Sequence, residues 1–311
     1  MPGMPSKPVT AFRVKPGIRA SCAVSSVLIA AAGTAVGRSA QGPRTLTPQE
    51  LFVRNVGTPE QQEKQFPPHR IAGNIYYVGT ETLASFLIVT SQGHVLINTT
   101  YERTVPVIQK SVDQVGFKFG DIKIVLGSHA HADHMEGDAL VKELTGAQVM
   151  AMEQDVPALQ AMQPGGKVHP IDRILHDGDT VTLGNTTLVA HLTPGHTKGC
   201  TTWTLTVQEG GRTYDVVIIG SMGVNPGMRL VNNPDNPTIA EQYAKGFSVL
   251  RALPCDVPLG SHPAMYDMTT KYARLGATPN PFIDPAGYTT EVDLVERVFK
   301  SVLDAQRKVT Q

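Results

Sequence analysis

The sequence predicts a layered α/β fold built around one large core. Strands and helices alternate along most of the chain, and no linker is long enough to separate two domains. Residue types able to bind a metal also recur where apolar strands end. A chain of 311 residues with 41% apolar and 17% charged content can bury such a core, because single α/β domains often exceed about 200 residues. Neither a basic patch nor a long charge run points to nucleic acid.

Residues 1–37 read as a secretory signal. Lys7, Arg13, Lys15 and Arg19 precede a largely apolar run over 20–36 that lacks acidic residues, and cleavage is expected after Gly37 or Ala40. The run is too short and too interrupted by Ser and Gly for a membrane span. Removing it takes four of the 27 cationic residues and none of the 27 acidic ones, leaving a net charge of minus four. That charge further disfavours a polyanionic partner. Residues 38–66 are expected to be lightly structured, and 67–311 to form the main domain.

Within that domain 71–78, 84–90 and 94–98 read as strands, the last two joined by Ser91-Gln92-Gly93. Val105, Ile108, Val112 and Val115 recur at helical spacing. The apolar run 122–126 leads a strand to His129, a helix over 139–144 closes at Gly146, and 147–152 returns as a strand. Residues 157–166 read either as a mobile loop arching over a substrate or as a short helix ending at glycine. Further strands are expected at 180–183, 186–192, 201–207 and 214–219, many of their residues β-branched. Thr238-Ile239-Ala240-Glu241 has the form of a capping box. It opens a helix whose Ile239, Tyr243, Phe247 and Leu250 share a face. The run 256–259 leads into Gly260-Ser261-His262, Pro and Gly mark a loop at 279–287, and 290–308 is a strongly amphipathic helix. The apolar stripes and Trp203 read as core.

The chemistry concentrates at Gly127-Ser128-His129-Ala130-His131-Ala132-Asp133-His134. Two imidazoles at alternate positions leaving a strand can converge on one ion, while an Asp-His pair bent away by a helix start can hold a second. Zn²⁺ favours such mixed nitrogen and oxygen ligands, and paired ions about 3.5–4 Å apart are a hydrolytic device. Further ligands are expected where other strands end, since loops converge there. Thr193-Pro194-Gly195-His196-Thr197 presents His196, and Gly260-Ser261-His262-Pro263 presents His262, completing two triads. His69, His94, His169 and His176 read as solvated or structural, and His191 as bracing the nearby turn. Cys22 falls in the discarded segment, and Cys200 and Cys255 read as free thiols rather than a pair.

With these residues on the page, the chain resembles the metallo-β-lactamase superfamily and, more narrowly, its subclass B3. The resemblance spans roughly 66–308 and rests on His129, His131, Asp133 and His134, on His196 in Thr-Pro-Gly-His-Thr and on His262 in Gly-Ser-His-Pro. It implies a four-layer αβ/βα sandwich with the site at one edge of two facing sheets. It also implies two Zn²⁺ ions, the first on His129, His131 and His196 and the second on Asp133, His134 and His262. The expected reaction is opening of the β-lactam ring of penicillins, cephalosporins and carbapenems by a metal-bridging hydroxide without a covalent enzyme intermediate. Asp133 would orient the hydroxide and relay a proton. Such an antibiotic-resistance enzyme would be periplasmic or secreted, with a small β-lactam substrate and no stable membrane insertion after signal removal. The alternatives are a hydrolase of another ester, thioester or lactone and, from a different class, a zinc-storing or sensing protein.

Departures from the family pattern sharpen the reading. Where many superfamily hydrolases carry a bridging Asp after 216–219, and another subclass a Cys, this chain has Gly220-Ser221. That favours subclass B3 over the lactonase and phosphodiesterase branches. Ser221 matches the first of two serines that commonly meet the substrate carboxylate, but Gly223 stands at the second, leaving Asn225 or Arg229 to compensate. Asn98 stands where the superfamily often has Asp, so its support of the ligands would be neutral. A cysteine partner that family members often provide near Cys200 or Cys255 is absent.

Overall fold

The computed structural model describes residues 45–310. The expected signal over 1–37, with Cys22, lies outside the described residues. The segment expected to be lightly structured, 38–66, is instead helical over α1 (Pro48–Val56) and α2 (Pro59–Glu63). Both begin with a Thr-Pro pair, and Glu50 or Gln61 three residues after the threonine closes a capping box. Proline at the first helical position loses no hydrogen bond there. Leu51 buries the inner face of α1, and Arg54 forms a two-pronged ion pair with Glu291 of the C-terminal helix.

Seven strands follow one another in a first sheet: β1 (His69–Ala72), β2 (Ile75–Tyr77), β3 (Phe86–Thr90), β4 (Gly93–Ile97), β5 (Ile122–Leu126), β6 (Gln148–Met152) and β7 (Arg173–Leu175). Neighbours are antiparallel up to β4 and parallel beyond it. The strand expected over 71–78 is two, because the chain reverses at Gly73, whose φ of 53° a side chain rarely adopts. The second sheet runs β12-β11-β10-β9-β8, from β8 (Thr180–Leu183), β9 (Thr186–Leu192), β10 (Thr201–Glu209), β11 (Arg212–Ile219) and β12 (Val257–Gly260).

Period-two alternation sorts side chains between layers. Phe86, Ile88, Val95, Ile97, Ile124 and Leu126 enter the core shared with Leu188, Ala190, Trp203 and Leu205 of the second sheet. Leu87, Leu96, Val125 and Val149 face the other way, onto Val105, Ile108 and Val112 of α3 (Val105–Gln114). Val141 of α5 (Asp138–Thr145) joins them, and the one-turn α4 (Ala132–Met135) precedes α5. On the far side, α7 (Ile239–Ala252) and α9 (Pro285–Thr310), with the short α8 (Met268–Tyr272) between them in the chain, bring Tyr243, Phe247, Leu250, Val298 and Phe299 against Val257 and Leu259. The result is four layers, helix, sheet, sheet, helix. Each fully buried aliphatic side chain contributes about 1.5–3 kcal/mol, against the entropy of ordering the chain.

Two local expectations change, and of the two readings of 157–166 the helical one holds. Thr238 caps α7 without a side-chain bond to Glu241, because its ψ of 17° is not extended; its hydroxyl instead accepts from Gln242 Nε2 at 3.1 Å. Residues 157–166 resolve as the end of α6 (Val156–Met162) and a short turn, with Leu159 packed among Ala130, Met135 and Ala151 rather than over a cleft. Helix α9 starts at Pro285, inside the loop expected over 279–287. Among the described residues no helix is long and apolar enough to cross a membrane.

Candidate metal centre

The C-terminal ends of β5, β9, β11 and β12 lie at one edge of the two sheets. After β5 the chain bends over 128–131, with His131 N donating to His129 O at 2.8 Å, and from an extended His131 (φ −115°, ψ 150°) it enters α4, which carries Asp133 and His134 away from His129 and His131. After β9, Gly195 adopts a φ of 137°, and a Cβ there would sit 2.6 Å from the Tyr243 ring. Only glycine allows this turn to present His196.

The six sequence-predicted ligand positions gather into two groups. His129, His131 and His196 form one, and Asp133, His134 and His262 the other, with the donor atoms within each group no more than 4.8 Å apart. Ring centroids in the first group lie 4.6–4.8 Å apart. The groups touch where His129 and His134 are 4.2 Å apart. Asp133 Oδ2 lies 3.3 Å from His134 Nε2 and 3.9 Å from His262 Nε2.

Hydrogen bonds and burial set these groups in a metal-receptive state. His196 Nδ1–H donates to Gly223 O (2.6 Å) and His262 Nδ1–H to Thr82 O (3.0 Å). A carbonyl can only accept, so each Nε2 keeps its lone pair. Burial, then the neighbouring His131, pushes His196 down to about 3. Burial also brings His134 to about 3, despite the opposing pull of Asp133. Burial alone would raise the Asp133 carboxyl, but the surrounding histidines hold it below its usual value. Neutral imidazoles beside an ionised carboxylate are the protonation states that bind metal. Neither ring nitrogen of the fully buried His134 has a hydrogen-bond partner. An orphaned polar group of this kind costs about 1–3 kcal/mol, and a divalent cation would take its lone pair. The donor set fits zinc.

Supporting residues that the sequence did not reveal hold the loops. The buried Asp155 carboxylate accepts from Ala130 N (2.9 Å), Gly199 N (2.7 Å) and Thr197 Oγ1 (2.8 Å), tying the His129–His131 segment to the His196 loop. Thr99 N and Thr100 N donate to His134 O at 2.9 and 3.1 Å, and Thr99 Oγ1 donates to Asp138 at 2.6 Å. His169 lies 3.2 Å from Asp138 and 3.1 Å from Met135 O, holding α4 from behind. Asn98 Oδ1 accepts from Ser128 N at 2.8 Å, a neutral bond beside His129. His191 reaches Thr204 on the adjacent strand at 2.8 Å, so it braces the sheet. Cys200 and Cys255 are free.

A cavity of about 140 Å³ opens onto both groups. Ser221, Gly223, Val224 and Asn225 form one wall, while Tyr101 and Leu51, Phe52, Asn55 and Val56 of α1 also line it. Arg229 is not among its lining residues and is exposed. The capping box around Thr47 is the available signal for α1, as the one around Thr58 is for α2. Asp155 left none, because its partners lie 25 and 44 residues away.

The family model of the metallo-beta-lactamase superfamily matches residues 79–262, more than half of the chain. Among solved structures, native FEZ-1 metallo-beta-lactamase from Legionella gormanii is 46% identical, with a TM-score of 0.76, over 79% of this chain and 98% of that one. BJP-1, a subclass B3 metallo-beta-lactamase of Bradyrhizobium japonicum, is 37% identical with a TM-score of 0.75, over 81% and 99% of the two chains. Curated relatives match shorter stretches. The human mitochondrial persulfide dioxygenase ETHE1 is 27% identical over 43% of this chain and 46% of its own length. The hydroxyacylglutathione hydrolase of Maricaulis maris is 34% identical over 30% and 32%. The chain thus spans about half or less of the length of these curated relatives. It belongs to the metallo-β-lactamase superfamily and groups within it with the subclass B3 metallo-β-lactamases.

Proposed function

We propose that the protein is an exported zinc-dependent hydrolase that opens the β-lactam ring. The observation that carries this reading is the pair of adjoining donor groups on the floor of one small cleft. His129, His131 and His196 would hold one zinc, and Asp133, His134 and His262 the other. Two such ions, when bound, lower the pKa of a water toward about 7 and polarise the scissile carbonyl. Asp133, which adjoins His134 and His262, orients that water and carries its proton toward the departing nitrogen. Ser221 and Asn225 supply hydrogen-bond donors for the substrate, and α1 closes one side of the cleft with apolar surface. Export rests on the cationic and apolar pattern of residues 1–37.

A second reading, hydrolysis of an ester or thioester, is favoured by the hydroxyacylglutathione hydrolases among the relatives. Gly220-Ser221 at the end of β11 speaks against it. One panel separates the two: a penicillin, a cephalosporin, a carbapenem, an acyl thioester and a lactone, assayed with zinc and again after chelation. Chelator-sensitive lactam turnover is expected. Turnover of the thioester alone would overturn the β-lactamase reading.

A further inference from the structure

In the cleft that Ser221 lines, helix α1 places one polar side chain among apolar ones. Asn55 lines the cleft between Leu51, Phe52 and Val56, and is itself buried. Its Oδ1 accepts from Arg54 Nε at 2.9 Å, and the Arg54 guanidinium is fixed in turn by both carboxylate oxygens of Glu291 on α9. With its oxygen engaged there, the amide is left with its Nδ2–H groups for the cleft, and these can only donate.

The cleft needs such a donor. No Lys or Arg lines it, and Gly223 supplies no side-chain donor. Ser221 and Tyr101 offer one hydroxyl each and Asn225 one amide, all uncharged, whereas a carboxylate has about four acceptor positions to satisfy. Leu51, Phe52 and Val56 give Asn55 apolar surroundings, and a hydrogen bond formed in a less polar setting is strengthened.

We infer that Asn55 is a specificity-determining residue that donates a hydrogen bond to a carboxylate borne by the substrate beside its scissile bond. The inference deepens the hydrolytic reading and rests on it for the identity of the substrate. Arg54 and Glu291 act through Asn55 as positioning residues, coupling the C-terminal helix to substrate selection.

The test compares the zinc-loaded wild-type chain with Asn55→Ala and with Asn55→Leu, which fills the same space without a donor. Binding of β-mercaptopropionate and of propanethiol is measured by calorimetry, since both thiols engage the metals and only the first carries a carboxylate. Loss of a charge-assisted hydrogen bond should weaken β-mercaptopropionate about tenfold in both variants. Propanethiol affinity and zinc content should stay unchanged, and any fall in melting temperature reports the lost Arg54 bond and affects both thiols alike. With a β-lactam substrate, KM should rise while kcat changes little, as when ground-state and transition-state binding are lost together. Unchanged β-mercaptopropionate affinity, or equal losses for both thiols, would overturn the inference. A wild-type chain that hydrolyses no β-lactam yet shows the selective thiol loss would support Asn55 as a carboxylate donor and remove the β-lactamase reading alone.

Discussion

Asp133 adjoins two histidines of its own group and faces the cleft, so one substitution reads both its roles. Asp133→Ala is expected to abolish turnover and to lower metal content by about one equivalent, with the far-UV circular dichroism unchanged. Near-normal hydrolysis would remove Asp133 from the mechanism. Asp155 differs in kind because its hydrogen bonds go to the Ala130 and Gly199 N–H groups and the Thr197 hydroxyl, holding the loops on which three ligands stand. Asp155→Ala strands two buried backbone N–H groups. Each costs about 1–3 kcal/mol, so denaturant unfolding should show a loss of about 2–6 kcal/mol, accompanied by weaker metal binding. The two aspartates also mark what single residues disclose in a sequence. Asp133 was legible because its neighbours are histidines at ligand spacing; Asp155 was not, because its partners come together only when two distant loops meet.

At the scale of elements, α5 and α4 are joined to the loop beyond α6 by the buried His169–Asp138 contact. Burial pulls His169 down, but the Asp138 carboxylate and the carbonyls of Met135 and Pro170 more than reverse it, leaving its pKa raised. A folded-state value above the unfolded one, about 6.5, adds stability that is complete below the unfolded value and fades as pH rises through the folded one. The stability gap between wild type and His169→Gln should therefore be widest near pH 6 and narrow toward pH 9, measured by urea unfolding. A gap that widens with pH would reverse the assignment. Elements with strong periodicity, such as β9 and α9, could be read directly from the sequence. Helix α1 was missed because its short apolar face resembles a polar linker until its caps are weighed, and β7 because two of its three residues are exposed.

For the whole molecule, the question is how far fold and metal depend on one another. The core between the sheets is apolar and continuous, burial pushes His134 and His196 down to about 3, and backbone carbonyls already hold His196 and His262. Chelation should therefore lower the melting temperature, because ligand binding stabilises the native state by mass action, while the folded circular dichroism spectrum persists. Loss of that spectrum on chelation would show that metal is needed to fold. The chain carries its own optical gauge for this experiment. Its single tryptophan, Trp203, is fully buried and donates its indole N–H to Gly127 O at 3.0 Å, two residues before His129. Emission from that one fluorophore reports the peptide that leads into the metal-binding segment, so filling and emptying of the centre can be followed in real time without a label.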